Sequence, residues 1–415
     1  MIPQRSRKGV MVKAEIVFLL AAAVVFAAAG DTSGTETVPP DGPYPVGVRI
    51  EHIDHDTYKM PVMVWYPALL DDGAKPYKYP TKIQGSAVFN AEADRGDAPY
   101  ALVLFSHGLA GCGCQSVFYT EDLASHGYLV VAPDYKDAAM CKIEGEPTIG
   151  ISKLIWTSFK SLGNLQKASN ALYHKYLKEK LGLEFSYRAQ DAKKVIDQVL
   201  VWNQEPSSFL NGMMNTEQIG ATGHSLGGYT SLMIGGMPFL CSSEQMTESC
   251  DPEMNILERD PCCNESILRM KTPFELRDPR VKAVLALGPS VIFPNIEKGA
   301  TEIEVPIMII TGGKKKMEAP WEPIWTLYDH APAPKYLIRL RKTDHMTITD
   351  MGALLSNPVV RLSFPGFRFH YRDKAQAYKD YSVGFFDVFL KGEDETATVL
   401  EKPSNAWVEL WSERE

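Results

Sequence analysis

The chain lacks an excess of positive charge. Its 415 residues hold 43 Lys and Arg against 51 Asp and Glu, which gives a formal net charge of −8. Because nucleic-acid binding requires cations that neutralise phosphates, we expect no nucleic-acid partner. Internal repeats and low-complexity tracts are also missing, and apolar residues make up an ordinary 45% of the chain. A disordered chain and a repeat array are therefore excluded.

Long apolar runs are missing after the N-terminus, so no later segment is expected to span a bilayer, which takes about 20 residues. The N-terminus itself has four basic residues, an apolar run over Ile16–Ala29 and then Gly30. This order is typical of a signal peptide, which we place at residues 1–30. A retained membrane anchor is the alternative. Cleavage would give a secreted or periplasmic protein, in which the polar, Pro-rich residues 31–45 form a flexible linker to a single domain over 46–415.

The cysteines lack the paired spacing of a zinc site. There are seven, an odd number, so at least one is free or pairs outside the chain. Cys241 and Cys250 bracket a polar loop that they could close. Cys112 and Cys114 are too near each other for easy pairing, so their partners must lie elsewhere. We expect no metal and no cofactor.

Apolar, β-branched runs alternate with amphipathic helical segments along the domain. This order predicts an α/β fold with a mostly parallel sheet of about eight strands and helices on both faces. The predicted strands are Val46–Ile53, Pro61–Tyr66, Tyr100–Phe105, Tyr128–Ala132, Ile219–Thr222, Val281–Leu287, Val305–Thr311 and Lys335–Leu340. The predicted helices are Val117–His126, Arg188–Trp202, one that includes Ser231, and Tyr381–Leu390. Two insertions, at about 137–185 and 236–278, interrupt the pattern and are predicted to form a cap.

Gly223-His224-Ser225-Leu226-Gly227 matches G-x-S-x-G, and it stands between a predicted strand and a predicted helix. That context is typical of a nucleophile elbow, in which a sharp turn exposes the serine above the sheet. A nucleophilic serine needs two backbone N–H groups to stabilise the developing oxyanion. We predict that Leu226 provides one. Leu109, which follows Ser106-His107-Gly108, provides the other, and His107 supports that loop through hydrogen bonds.

The base must follow the serine in this topology, which leaves three of the nine histidines: His330, His345 and His370. His345 comes just after a strand and is the predicted base. The loop after Val305–Thr311 contains no Asp, so Glu318 is the predicted acid, with Glu322 as the second candidate.

These motifs together resemble the secreted platelet-activating factor acetylhydrolase group and its dienelactone-hydrolase-like and polyester-hydrolase-like bacterial relatives. FSHGL, LASHGYLVVAPDY, GHSLGG and the late DH carry the resemblance, which spans about residues 44–395. It implies an α/β-hydrolase fold, hydrolysis of short acyl esters without metal, and the roles given above for Ser225, His345, Leu109 and Leu226. The acetylhydrolases have an Asp after the sixth strand, where this chain has Gly288-Pro289-Ser290, and dienelactone hydrolases have Cys at the elbow.

The predicted function is a secreted serine hydrolase that cleaves short-acyl carboxylic esters of small molecules or lipids through an acyl-enzyme. A polyester hydrolase, thioesterase or peptidase on the same fold is the alternative, and a catalytically dead binding scaffold is a further one. Apolar residues in the first insertion, Trp156, Phe159 and Leu162, suggest a weak contact with a lipid surface. The oligomeric state stays open.

Overall fold

The computed structural model describes residues 35–55, 58–148, 187–238, 276–290, 296–313, 321–341, 343, 345, 347–350, 371–393 and 398–414. The strands are β1 (Thr35–Glu36), β2 (Val46–His55), β3 (Tyr58–Leu69), β4 (Pro76–Lys78), β5 (Ile83–Phe89), β6 (Glu92–Ala93), β7 (Tyr100–Ser106), β8 (Tyr128–Pro133), β9 (Met214–His224), β10 (Val281–Leu287), β11 (Ile307–Gly313), β12 (Lys335–Arg341) and β13 (Val408–Glu413). The helices are α1 (Val117–Ser125), α2 (Tyr187–Gln204), α3 (Leu226–Ile234), α4 (Ile296–Ala300), α5 (Trp321–His330) and α6 (Tyr371–Phe386), which continues into a π-helical turn, Asp387–Lys391.

The strands form one mixed sheet in the order β1-β5-β2-β3-β8-β7-β9-β10-β11-β12-β13, with β4 beside β5 and β6 beside β3. The six strands β7 to β12 run parallel to one another. Strand β3 is antiparallel to β2 and β8, and β13 is antiparallel to β12. The α/β prediction is confirmed, and each of the eight predicted strands is present. The five further strands are short, or alternate polar with apolar residues, so they lack the continuous apolar runs that marked the others.

Helices cover both faces of the sheet, and the sheet residues alternate between two cores. On β7, Leu102 and Leu104 pack into the core that α2, α3 and α5 cover. Val103 and Phe105 pack into the opposite core, under α1 and α6. Every residue of β7 is buried. This explains why the strand reads as an unbroken apolar run, as central parallel strands do.

Two predicted boundaries are corrected. The polar segment 31–45, predicted to be flexible, packs against the domain from residue 35 onward: β1 pairs with β5, Val38 is buried, and Asp41 forms an ion pair of 2.8 Å with Lys379. The closing helix begins ten residues before the predicted Tyr381, at Tyr371. Its first turns have polar residues between small buried ones such as Ala375, so their apolar stripe is weak in the sequence.

Several predictions lie outside the described residues: the signal peptide, most of both insertions, the Cys241–Cys250 pair and the aromatic residues of the lipid-contact hypothesis. Across the described ranges, no helix combines the length and the apolar character that a bilayer span requires.

Candidate active site

The turn between β9 and α3 places Ser225 in a strained conformation. Its φ of 57° and ψ of −116° lie in a region that a non-glycine residue seldom adopts. Three backbone hydrogen bonds maintain it: the Ser225 N–H donates to Leu287 O at 2.9 Å, and Ser225 O accepts from Tyr229 N at 3.1 Å and from Ser290 N at 3.0 Å. The first bond fixes the turn to the end of the neighbouring strand β10. The serine is therefore presented at the carboxyl edge of the sheet, as the motif predicts.

The flanking glycines allow this turn to lie against the end of β7. A Cβ atom on Gly227 would be 1.9 Å from Ser106 O, and one on Gly223 would be 2.5 Å from the same oxygen. Real Cβ atoms do not come so close to a carbonyl oxygen. Strand β7 leads directly into residues 107–111, the predicted oxyanion loop, so the two glycines set how near that loop comes to Ser225.

We expect Gly227→Ala to destabilise the fold by about 3 kcal/mol or more, because backbone on both sides would have to move. Urea unfolding of the purified variant measures the effect. Gly96→Ala is the matched control, since its Cβ would meet only the Asp94 side chain, at 3.2 Å. A Gly227→Ala variant as stable as the control would contradict this account of the turn.

His345 lies next to the serine. Its Nε2 atom is 2.9 Å from Ser225 Oγ, within reach for proton transfer. Ser225 is half-buried and His345 is exposed. Gly288, which has a φ of 49°, lies behind the ring, where a Cβ atom would be 3.4 Å from His345 Nδ1. The first residue after β10 is thus a glycine near Nδ1 of the predicted base, in the segment where the acetylhydrolases have an Asp.

The predicted acid, Glu318, lies outside the described residues, as does Asp344. Glu322 is exposed in the first turn of α5, where it lines a surface groove with residues of α4, including Glu297 and Lys298. Neither Ser225 nor His345 lines that groove. The location of Glu322 therefore gives no support to the second candidate.

The two predicted oxyanion donors lie at the start of α3 and in the turn after β7. Leu226 is the first residue of α3, and Leu109 lies in a turn closed by a 3.0 Å hydrogen bond from Gly111 N to Gly108 O. Within the described ranges, no hydrogen-bond acceptor is found for either amide. An oxyanion hole requires two such amides that can donate to an incoming oxygen.

A buried ion pair that no sequence motif indicated supports the predicted oxyanion loop. Arg188 and Asp137 are 0% and 1% exposed and form a two-pronged ion pair. The same guanidinium donates to the carbonyl oxygens of His107 and Gly108, while Asp137 Oδ2 accepts from Ala110 N at 3.0 Å. Burial alone would raise the pKa of Asp137, but the charge and hydrogen bonds of Arg188 outweigh it and lower that pKa to about 2.

His107 supports the loop, as the sequence predicted. It is fully buried, its Nε2 accepts from Tyr135 N at 3.1 Å, and its Nδ1 lies 2.7 Å from Gly108 O. These partners assign the neutral form with the proton on Nδ1. Burial, helped by the nearby charge of Arg188, lowers the pKa of His107 to about 3. His107 is thus neutral at physiological pH, and among the described residues its ring forms no hydrogen bond with Ser225.

A disulfide closes the segment that follows the oxyanion turn. Cys112 is bonded to Cys141, and Met140 N donates to Ala110 O at 2.9 Å. Cys114 is buried and free. The partner of Cys112 thus comes from elsewhere in the chain, and the first residues of the predicted first insertion, 137–141, belong to the structure that supports the oxyanion turn.

We expect the double variant Cys112→Ser, Cys141→Ser to lose about 3–4 kcal/mol of unfolding free energy, the entropy of closing a loop with a sequence separation of 29. Urea unfolding measures it. Cys114→Ser is the control, because it replaces a buried sulfur and leaves the cross-link intact. Equal stability losses in the two variants would mean that the cross-link itself adds nothing.

Asp350 fixes the loop that carries His345. Its carboxylate accepts from Val117 N at 2.7 Å and from Phe118 N at 3.4 Å, at the N-terminus of α1, and also from the Thr37 hydroxyl. Burial, opposed by these hydrogen bonds, raises the pKa of Asp350 to about 7. A carboxylate at a helix N-terminus satisfies amides that have no partner within the helix. The loop of the predicted base is therefore attached to α1.

Sequence signals for these supporting residues are uneven. Arg188 falls on the apolar stripe of α2, four and seven residues before the buried Ala192 and Val195. A charge at such a position indicates a buried partner. Asp137 and Asp350 have no comparable signal, because their partners are backbone amides or residues distant in the sequence.

Comparisons with known proteins bear on the fold and on the class of enzyme. Residues 79–250 match the model of the platelet-activating factor acetylhydrolase, isoform II, family. That range includes the oxyanion loop and Ser225 and ends before His345. The fold is similar to that of a ferulic acid esterase from Streptomyces cinnamoneus, with a TM-score of 0.61, 18% identity, and coverage of 92% of this chain and 100% of the other. The chain is thus a carboxylic ester hydrolase of α/β-hydrolase fold that resembles the platelet-activating factor acetylhydrolase family.

Proposed function

We propose that the protein is a serine esterase in which Ser225 is the nucleophile and His345 the general base. The single observation that carries this proposal is the 2.9 Å approach of His345 Nε2 to Ser225 Oγ at a strained strand-to-helix turn. His345 takes the hydroxyl proton as Oγ attacks the ester carbonyl. The resulting oxyanion accepts hydrogen bonds from the amides of Leu109 and Leu226.

In the next step, the C–O bond to the leaving alcohol breaks and His345 donates its proton to that alcohol. An acyl group then remains on Ser225. Water attacks this ester with His345 again as the base, which releases the acid and restores the serine. Glu318 is the proposed acid that orients the imidazole and stabilises its cation. Each step uses only protons, water and substrate.

The proposed substrate class is a small-molecule or lipid ester with a short acyl group. The match to an acetylhydrolase family model supports it, since an acetyl group is the shortest common acyl chain. The proposed location is secreted or periplasmic. The signal-peptide pattern supports this location, and so does the Cys112–Cys141 disulfide, because such bonds persist in oxidising compartments.

The test uses the purified protein with p-nitrophenyl acetate, butyrate and octanoate. We expect hydrolysis to fall as the acyl chain lengthens, and a fluorophosphonate probe to label Ser225 alone. Glu318→Gln is expected to lower kcat by about 10⁴-fold, whereas Glu322→Gln, its neighbour in sequence, should retain activity. Equal rates on all three esters would contradict the short-acyl proposal, and absence of labelling at Ser225 would contradict the nucleophile.

A further inference from the structure

One buried side chain, Gln115, lies between the oxyanion loop and the loop of the base. It is 9% exposed, and its Oε1 accepts from Gly108 N at 3.1 Å. Its Nε2 lies 3.2 Å from His224 Nδ1, and His224 Nε2 lies 2.8 Å from His345 O. Four hydrogen-bonding groups therefore run in series from the oxyanion loop, past the nucleophile turn, to the backbone of the base.

The direction of each hydrogen bond in this series follows from the chemistry of its groups. Gln115 Oε1 accepts from an amide, so its Nε2 is the side that faces His224, and an NH₂ group only donates. His224 Nδ1 must then accept, which leaves the ring proton on Nε2, where it donates to the carbonyl of His345. Burial, with the neighbouring His345 ring, lowers the pKa of His224 to about 3, so this tautomer is not replaced by an imidazolium at neutral pH.

The glycines of the oxyanion loop leave room for this series. A Cβ atom on Gly111 would be 2.2 Å from Gln115 Oε1, and one on Gly108 would be 3.0 Å from His224 Nδ1. The backbone of Gln115 also contacts the base loop, because Gln115 O accepts from Asp350 N at 2.9 Å. Gln115 thus contacts both loops directly, and His224 extends the connection to the base itself.

We infer that Gln115 and His224 are positioning residues that hold the oxyanion donors and His345 in a fixed relation to Ser225. The inference rests on the proposed function and assigns no contact with substrate to either residue. The amides of the oxyanion loop and the base come from separate loops, and both must be in place when Ser225 attacks. A misplacement of about 1 Å in such a site costs on the order of 100-fold in rate. The side-chain amide of Gln115, bonded to the oxyanion loop and through His224 to the backbone of His345, limits that drift.

The test measures how fast a fluorophosphonate inactivates the full-length protein, because this reaction uses Ser225, the base and the oxyanion hole without any assumption about the natural substrate. Gln115→Leu removes both side-chain hydrogen bonds at nearly constant volume. We expect the maximal inactivation rate, kinact, to fall between about 10- and 100-fold, and the half-saturating concentration, KI, to change less than threefold. A merely structural role would not separate kinact from KI.

The matched control is Gln84→Leu. Gln84 lies on β5, near the far edge of the sheet, and its Nε2 donates to Pro76 O and Tyr77 O. Gln84→Leu thus removes two side-chain hydrogen bonds, as Gln115→Leu does, but at a residue that does not contact the site. We therefore expect its kinact to equal that of the wild type. His224→Phe keeps a ring and removes its nitrogens, so it decides the question if Gln115→Leu does not fold. His224→Gln retains an N–H donor for His345 O and is expected to recover part of the lost rate.

The outcomes separate this inference from the proposed function. A wild-type protein that the probe does not label at Ser225 overturns the proposed function. The positioning role alone is overturned if the probe labels the wild type and a folded Gln115→Leu or His224→Phe variant has an unchanged kinact. The positioning role is also overturned if kinact falls equally in Gln84→Leu, because the loss would then not depend on contact with the site.

Discussion

Replacing Ser225 with Ala is expected to reduce ester hydrolysis by about 10⁴- to 10⁶-fold, with the fold unchanged. The residual rate would come from the oxyanion donors and from substrate binding, which this substitution leaves in place. Steady-state kinetics on p-nitrophenyl acetate measure the loss, and circular dichroism verifies the fold. Activity within tenfold of the wild type would eliminate Ser225 as the nucleophile.

Ser225→Gly is the sharper companion variant, because it tests the strain as well as the chemistry. Glycine adopts a φ of 57° without the clash that a Cβ atom causes. We therefore expect Ser225→Gly to unfold with a free energy about 1 kcal/mol above that of Ser225→Ala, while both are equally inactive. Equal stabilities would mean that the elbow conformation stores no strain at this residue.

Asp137→Asn is expected to have the largest effect on stability, about 3–5 kcal/mol. The substitution leaves the guanidinium of Arg188 buried without its counter-charge. Because the same guanidinium donates to the carbonyls of the oxyanion loop, kcat should fall too. Urea unfolding and steady-state kinetics measure the two losses. Glu304→Gln is the control: it breaks an ion pair with Arg277 whose members are 47% and 29% exposed, so its cost should stay below about 1 kcal/mol.

A second variant separates the two roles of this ion pair. Replacing both Asp137 and Arg188 with Leu and Met removes the unpaired charge, so most of the stability should return. Activity should not return, because the carbonyl oxygens of the oxyanion loop would still lack the hydrogen bonds that the Arg188 guanidinium donates. Recovery of both stability and activity would show that Arg188 and Asp137 serve folding alone.

The same pair predicts a pH dependence. The pKa of Asp137 is lowered from 3.8 to about 2 in the folded protein. The contribution of ionised Asp137 to the free energy of unfolding is therefore complete above about pH 4 and is lost as the pH falls from about 4 to 2. Unfolding curves of the wild type should lose this part of the free energy over that range, and those of the double variant should not. Parallel pH profiles would assign the acid sensitivity to other carboxylates.

The sequence by itself determined the class of fold and two of the proposed catalytic residues. Buried parallel strands must be apolar along their whole length, so the six parallel strands, β7 to β12, were visible as runs such as Tyr100–Phe105. The elbow was visible because its glycines are required by contact: Gly227 has no space for a Cβ against Ser106 O. The order of serine and histidine along the chain then left His345 as the best-placed base.

Only the tertiary structure decided what holds these groups together. Arg188 and Asp137 are 51 residues apart, and Gln115 and His224 are 109 apart. No local pattern joins such residues, because their hydrogen bonds depend on how strand ends and loops meet at the edge of the sheet. The disulfide from Cys112 to Cys141 was hidden for the same reason. Local sequence fixes the elements and the reactive groups, whereas the positions of those groups depend on buried polar contacts between distant segments.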